Sequence, residues 1–319
     1  MGFTAWYLSL LYLIAILSDI LNGMEKSPGN EYEQLIKFSV LDSEIVNLVN
    51  QFRQQDINKV DDGQIILDYQ KCTSIHDPND RDKGRLFKWV DPTLLEKDTY
   101  KKWIALNNEY ETQVDIPEKS NPKKKKAIDD FLDAILSTMI WKSFYQFLLK
   151  KGHPYAESLQ TFRARIKQLW FVEYSRKQGL IDSSGFEHVF MGEYKNGEVS
   201  GMHSWLRFYL LERNESQEFD YRGFTIKRFN IMAAVKFSWH NHIKRSSTFF
   251  IGTSPEFDMA LYTICFLTRQ SRDICKFQLE ECPFSVTSYK LMQQGKIFVG
   301  TVYPVAGSFT EKCRKHNSL

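Results

Sequence analysis

Charge of one sign is what the chain most lacks. Its 319 residues carry 42 Lys and Arg against 39 Asp and Glu, a net charge of +3. No global basic field therefore exists to gather a polyanion, and such a partner must meet a local patch. The five cysteines contain no Cys-x-x-Cys pair, which argues against a structural zinc site. Neither His-Glu-x-x-His nor Gly-x-Ser-x-Gly occurs, and with them go zinc metalloproteases and nucleophile-elbow hydrolases. Internal repeats and low-complexity tracts are absent, which excludes repeat architectures. Long uncharged apolar runs are scarce: the prominent one is "MGFTAWYLSLLYLIAILS", ending before Asp19.

That run has the length of a signal-peptide apolar core with its flanks, so residues 1–23 are expected to be a secretory signal cleaved near Gly23. The alternative is a membrane anchor, because the run just reaches the ~18 residues that span a bilayer. Secretion fits the sequon Asn214-Glu215-Ser216 and permits disulfides. Cys265 sits inside the apolar run "ALYTICFL" and is expected to be a buried free thiol. Cys72, Cys275, Cys282 and Cys313 then form two bridges in one of three connectivities.

Residues 24–34 read as flexible and residues 311–319 as a tail. Between them, residues 35–182 carry helical periodicity. "FSVLDSEIVNLVNQF" repeats Val40, Leu41, Ile45, Leu48, Val49 and Phe52 at three and four. "DPTLLEKDTYKKWIALNNEY" opens with Asp91 before Pro92, a helix start. "AIDDFLDAILSTMIWKSFYQFLLKKG" reads as one long amphipathic helix, and "TFRARIKQLWFVEYSRKQG" as another. The lysine run Lys123–Lys126 reads as a solvated loop leading into a helix, with phosphate contact as the alternative. From residue 183 to 310, short Phe, Val, Ile and Tyr runs such as "YRGFTIKRF", "MAAVKFSW" and "KIFVGTVYPV" alternate with Gly, Asn and Asp. The expected fold is α+β: a helical N-terminal half, then a strand-rich half of antiparallel sheets with inserted helices.

Proton-transfer groups concentrate in "SSGFEHVFMGEYKNGEVSGMHSW", residues 183–205, which holds His188, His203, Glu187, Glu193 and Glu198. "GFEHVFMGE" reads as a strand. Asn196-Gly197 is a two-residue hairpin signal; a hairpin there makes His188 and His203 diagonal neighbours on one face. The favoured alternative is a helix capped by Ser200 with His203 in its first turn, where the positive helix end lowers its pKa. Two adjacent histidines suit acid and base work near neutral pH, or a metal site completed by Glu187 or Glu193. Lys244, with hydroxyls at Ser246, Ser247 and Thr248, and Tyr303 before a proline complete the candidates. Together they suit cleavage of a phosphodiester by its own neighbouring 2′-hydroxyl, with Lys244 stabilising the phosphorane. DNA lacks that nucleophile, so cleavage is expected of RNA alone.

These motifs resemble those of the EndoU endoribonucleases. "SSGFEHVFMGE", "GEVSGMHSW", "KRSSTFFIGTSPEFDMALYT" and "FVGTVYP" occur in the family's order, over roughly residues 35–310. The resemblance implies a catalytic triad of His188, His203 and Lys244, with His203 as base and His188 as acid. It implies uracil and sugar contacts for Thr248 and Tyr303, and supporting roles for Glu187 and Glu193. It further implies single-stranded RNA containing uridine as substrate, a 2′,3′-cyclic phosphate product and dependence on Mn²⁺. No carboxylate cluster with ligand spacing is visible, so the metal ligands stay unassigned. "SGMHSW" in place of "SGFHNW", and "WHNHIK" without a glycine after its tryptophan, depart from the usual pattern. A monomer is expected. The competing reading is an RNA-binding protein of the same fold that does not cut.

Overall fold

The computed structural model describes residues 38, 40–77, 84–114, 116–117, 121–176, 179–269 and 274–317. The expected signal segment 1–23 and flexible segment 24–34 lie outside the described residues. Residues 39–319 form one unit.

The helical half opens with α1 (Asp42–Gln55), which buries Ile45, Leu48, Val49 and Phe52 while Leu41, just before it, is 69% exposed. A small hairpin of β1 (Ile65–Leu67) and β2 (Phe87–Val90) comes next. Asp91 caps α2 (Pro92–Leu95) by accepting from the Thr93 amide at 2.9 Å. The expected single helix breaks there and resumes as α3 (Asp98–Asn107). The long amphipathic stretch likewise divides into α4 (Pro122–Leu136) and α5 (Met139–Lys150), because Thr138 turns extended and caps the second. α6 (Leu159–Phe171) is capped by Ser158.

The lysine run belongs to the first turns of α4 rather than to a loop. Lys123 pairs with Glu109 at 2.5 Å, Lys124 with Glu173 at 3.0 Å and Lys126 with Asp130 at 2.6 Å. Three of the four lysines are thus held by the protein's own carboxylates, and Lys124 is buried, so the solvated-loop expectation is corrected for this stretch.

The strand-rich half contains a five-stranded sheet in the order β3 (Glu193–Lys195), β4 (Glu198–Ser200), β7 (His242–Phe250), β6 (Met232–Trp239), β5 (Phe219–Arg228). Its pairs are antiparallel except β4 with β7, where Glu198 faces Ile243 in parallel. A second sheet joins β10 (Lys296–Ala306), β9 (Cys282–Gln293) and β8 (Cys275–Leu279), all antiparallel. Two helices are inserted: α7 (Trp205–Arg213) and the nearly wholly buried α8 (Pro255–Thr268). The α+β expectation matches this architecture. The segment expected as a tail holds α9 (Glu311–Asn317), tied to β9 by Cys282–Cys313.

The cysteine expectation is corrected. Cys265 is bonded to Cys275, and the exposed Cys72 is the free thiol. Cys265 is buried as expected, but α8 and β8 carry the two cysteines to a Cα separation of 5.4 Å, well within bonding range. An apolar run does not reveal what faces it.

One aromatic knot joins the two halves. Phe186 lies 4.9 Å from Phe171, 5.0 Å from Phe190, 5.7 Å from Phe131 and 6.4 Å from Trp103, centroid to centroid. Phe190 in turn reaches Trp170 at 5.5 Å and Tyr262 at 5.8 Å. Burying each such ring is worth ~1.5–3 kcal/mol. Glu187 and His188 lie between these two anchors in the chain.

Candidate active site

The stretch expected to be a strand, "GFEHVFMGE", is a π-helical turn, Glu187–Met191. The Phe186 and Phe190 rings lie 5.0 Å apart, a contact that a helical turn allows and a strand, in which residues four apart are separated by ~13 Å, does not. Single π turns recur at functional sites.

The chain beyond this turn combines the two expected continuations. Asn196 and Gly197 form the hairpin turn of β3 and β4, with φ of 50° and 83°, the left-handed pair that such turns require. The helix then begins at Trp205, capped by Ser204 rather than Ser200. His203 therefore precedes the helix instead of sitting in its first turn.

Between hairpin and helix the chain takes two left-handed residues, Gly201 (φ 66°) and Met202 (φ 61°). This kink lets the Met202 amide donate to the His188 carbonyl at 3.0 Å and the His203 amide to the Val189 carbonyl at 2.6 Å. Two backbone bonds thus clip the His203 segment to the turn that carries His188. Gly201 is required here, because a Cβ would stand 1.7 Å from the His188 carbonyl oxygen.

The two imidazoles have different partners. His188 Nδ1 lies 2.6 Å from Glu193 Oε2. Arg176 Nε lies 3.2 Å from the same oxygen and donates to Ser183 Oγ at 2.9 Å, while its Nη2 donates to the Tyr174 hydroxyl and the Gly300 carbonyl, each at 2.8 Å. Burial by itself raises the Glu193 pKa, but His188 and Arg176 overcome this and hold the carboxyl below its usual range. An ionised carboxylate only accepts, so His188 Nδ1 carries hydrogen and Nε2 faces the remaining chemistry. Burial lowers the His188 pKa, and Glu193 opposes that by favouring the imidazolium.

His203 Nδ1 donates to the Thr248 carbonyl at 2.8 Å. A carbonyl also only accepts, so Nε2 holds the lone pair in the neutral ring. No carboxylate stabilises the charged form. Burial, the Lys244 charge and His188 drive the pKa well below 6.5. The Tyr262 hydroxyl donates to the His203 carbonyl at 3.2 Å and fixes the segment from α8.

Lys244 lies on β7 opposite Phe237, and Ser247 opposite Val235. One extra residue on β7 between these pairs makes a bulge, a device that re-aims side chains. Past it, Ser247 Oγ donates to the Met202 carbonyl. Burial lowers the Lys244 pKa to about 8, so it remains a cation at neutral pH. Its charge acts on both histidines. Thr248 Oγ1 is buried without a hydrogen-bond partner, and the Tyr303 ring lies 5.5 Å from the His203 ring, tilted by 32°.

The structure therefore links His188 to Glu193, and His203 to the Thr248 carbonyl and the Tyr303 ring, with the Lys244 charge acting on both histidines. Glu187 has a different neighbour. It is fully buried, and its charge acts on Arg207, which burial takes down to about 10 and which donates from Nε to the Met191 carbonyl at 3.1 Å. Among the charges acting most on His188, Glu193 is the carboxylate. Sequence reasoning missed Arg176, Ser183, Tyr262 and Gly201. Arg176 looks like any surface base in "YSRKQG", and only the fold carries it to Glu193.

Neither histidine joins a metal cluster: among the described residues no group of three or more His, Cys, Asp and Glu side chains is placed to hold an ion. The nearest gathering of carboxyls is Asp56, Glu256 and Asp258, all buried around the start of α8. Burial and mutual repulsion push Asp56 up to about 6 and Asp258 well above its ordinary value. Among the described residues the side chains form no Mn²⁺ site.

The family model described as Endoribonuclease XendoU matches residues 44–304. The chain is 32% identical over 307 residues to uridylate-specific endoribonuclease C of Xenopus laevis, covering 92% of this chain and 99% of that protein. It is 33% identical over 280 residues to the human uridylate-specific endoribonuclease, covering 85% and 67%. The solved structure of XendoU, described as a splicing-independent snoRNA-processing endoribonuclease, superposes with a TM-score of 0.71 at 31% identity, over 85% of this chain and 99% of that one. With the two-histidine site in place and the family model spanning most of the chain, this protein belongs to the XendoU endoribonuclease family.

Proposed function

We propose that the protein cleaves single-stranded RNA at uridylates by attack of the ribose 2′-hydroxyl. The observation that carries this reading is the unlike pairing of the two imidazoles: one on a carboxylate, one on a carbonyl, with a half-buried lysine acting on both. Environments that push two like groups apart divide acid from base.

His203 Nε2 takes the proton of the 2′-hydroxyl. The 2′-oxygen attacks phosphorus, and the phosphorane oxygens gain charge that Lys244 offsets. The bond to the 5′-oxygen breaks as His188 Nε2 delivers its proton there. The products are a 2′,3′-cyclic phosphate and a free 5′-hydroxyl. Both proton transfers use side chains alone. Thr248 Oγ1 offers the uracil a hydrogen bond that no protein group takes up, and Tyr303 stacks beside it. The named activities of the relatives support the choice of uridylate.

The test is a single-stranded RNA with one uridine, compared with the same strand bearing 2′-deoxyuridine there. Cleavage of the ribose substrate alone, with a cyclic end by mass and loss in His188→Ala and His203→Ala, is the expected result. Cleavage of the deoxy strand, or RNA binding with no cleavage with or without Mn²⁺, overturns the mechanism. Thr248→Ala should weaken the preference for uridine more than it weakens RNA binding.

The protein is also proposed to be secreted. The two disulfides support an oxidising compartment. Asn214 of the sequon is exposed on a turn, its Oδ1 accepting from Ser216 Oγ at 2.8 Å. A mobility shift on enzymatic deglycosylation, absent in Asn214→Gln, is expected; an unshifted band removes this support.

A further inference from the structure

The hairpin of β9 and β10 carries a second aromatic beside Tyr303. Tyr303 pairs with Thr287 and Thr301 with Tyr289, so Tyr289 and Tyr303 are diagonal neighbours on one face, ~7–8 Å apart in such a ladder. Val286 and Val302, one residue along each strand, are buried at 1% and 0%. That contrast shows the Tyr face to be the outer one. Tyr303 is partly covered, whereas Tyr289 is 51% exposed. An exposed tyrosine on a paired strand has only two side-chain torsions to fix, so a flat ligand settling on it costs little further ordering. From His203 the line of rings runs 5.5 Å to Tyr303 and then outward to Tyr289. A strand of RNA with its uridine at Tyr303 must leave the site, and this line is a route by which it can.

We propose that Tyr289 is the platform for the nucleotide next to the cleaved uridylate, stacking its base as Tyr303 stacks the uracil. The inference rests on the reading of the site as an RNA-cleaving one. Every base has a π face, so this subsite is tolerant of sequence. It favours a neighbour that can stack over an abasic one, and purines over pyrimidines.

The test compares a single-uridine RNA oligonucleotide with uridine 3′-methyl phosphate, which carries neither a flanking base nor an aromatic leaving group. In Tyr289→Ala the ratio of kcat/KM for the oligonucleotide to that for the small ester should fall on the order of tenfold. Tyr289→Phe and Tyr289→Trp, which keep a ring, should hold the ratio within about twofold of the native protein. An unchanged ratio in Tyr289→Ala overturns the proposal. So does a Phe variant as poor as Ala, which would make the hydroxyl a positioning group for Tyr303. A native protein that cleaves neither substrate instead overturns the reading of the site on which the inference stands.

Discussion

Replacing Gly201 with alanine tests how the site is assembled. Gly201 has φ of 66°, and a Cβ would stand 1.7 Å from the His188 carbonyl oxygen and 2.7 Å from its carbon. Gly197, four residues earlier, is the internal control: its φ is 83°, but a Cβ there meets nothing within 4 Å. Both alanines bear the cost of left-handed backbone, ~1–2 kcal/mol. Gly201→Ala must in addition push the 201–203 segment off the π turn. That breaks the bonds from the Met202 amide to His188 and from the His203 amide to Val189. Leaving buried backbone groups unpaired costs ~1–3 kcal/mol each. Urea unfolding should therefore show a loss of ~1–2 kcal/mol for Gly197→Ala and ~3–8 kcal/mol for Gly201→Ala, at unchanged denaturant slope. Because the same bonds set the spacing of the histidines, kcat/KM on a uridine-containing RNA should fall about 100-fold in Gly201→Ala. In Gly197→Ala it should stay within about threefold, well short of what misplaced catalytic groups cost. Equal losses of stability and activity in the two variants would refute the idea that this close approach builds the site.

Three further outcomes rest on the charges. Glu193→Gln removes the carboxylate that favours imidazolium on His188, so the alkaline limb of the kcat/KM profile should move to lower pH; an unmoved limb would detach Glu193 from the acid. Lys244 has a folded pKa of about 8, below its ordinary value of 10.5, so its contribution to stability is present above the unfolded pKa and lost as pH falls through about 8. Lys244→Met should thus raise stability near neutral pH, on the order of 1 kcal/mol, while abolishing cleavage; a destabilised variant would show the ammonium to be structurally needed. Asp56, raised to about 6 by burial and Glu256, and Asp258, raised well above its ordinary value by burial, favour folding below the unfolded carboxyl pKa and cease to do so as pH rises through their folded values. In metal-free buffer Asp258→Asn should accordingly be more stable than the native protein at pH 7 and gain nothing at pH 4, checked by thermal unfolding.

The sequence by itself determined the class of the fold and singled out the two histidines and the lysine, and it held the Asn196-Gly197 hairpin as the less favoured of two readings. These rest on local chemistry: apolar periodicity, turn residues that tolerate positive φ, and side chains able to move protons near neutrality. It misassigned "GFEHVFMGE" as a strand, because Phe186, His188 and Phe190 alternate as well as Phe186, Val189 and Phe190 repeat at three and four. Only the aromatic knot across Phe171, Phe131 and Trp103 decides between the two periods. Tertiary structure likewise decided that Cys265 meets Cys275 and that Arg176 reaches Glu193. It decided which histidine faces a carboxylate and which a carbonyl. Such facts depend on contacts between residues far apart in the chain. Period and composition record what a residue is able to do, while burial and partners in the folded molecule choose among those abilities.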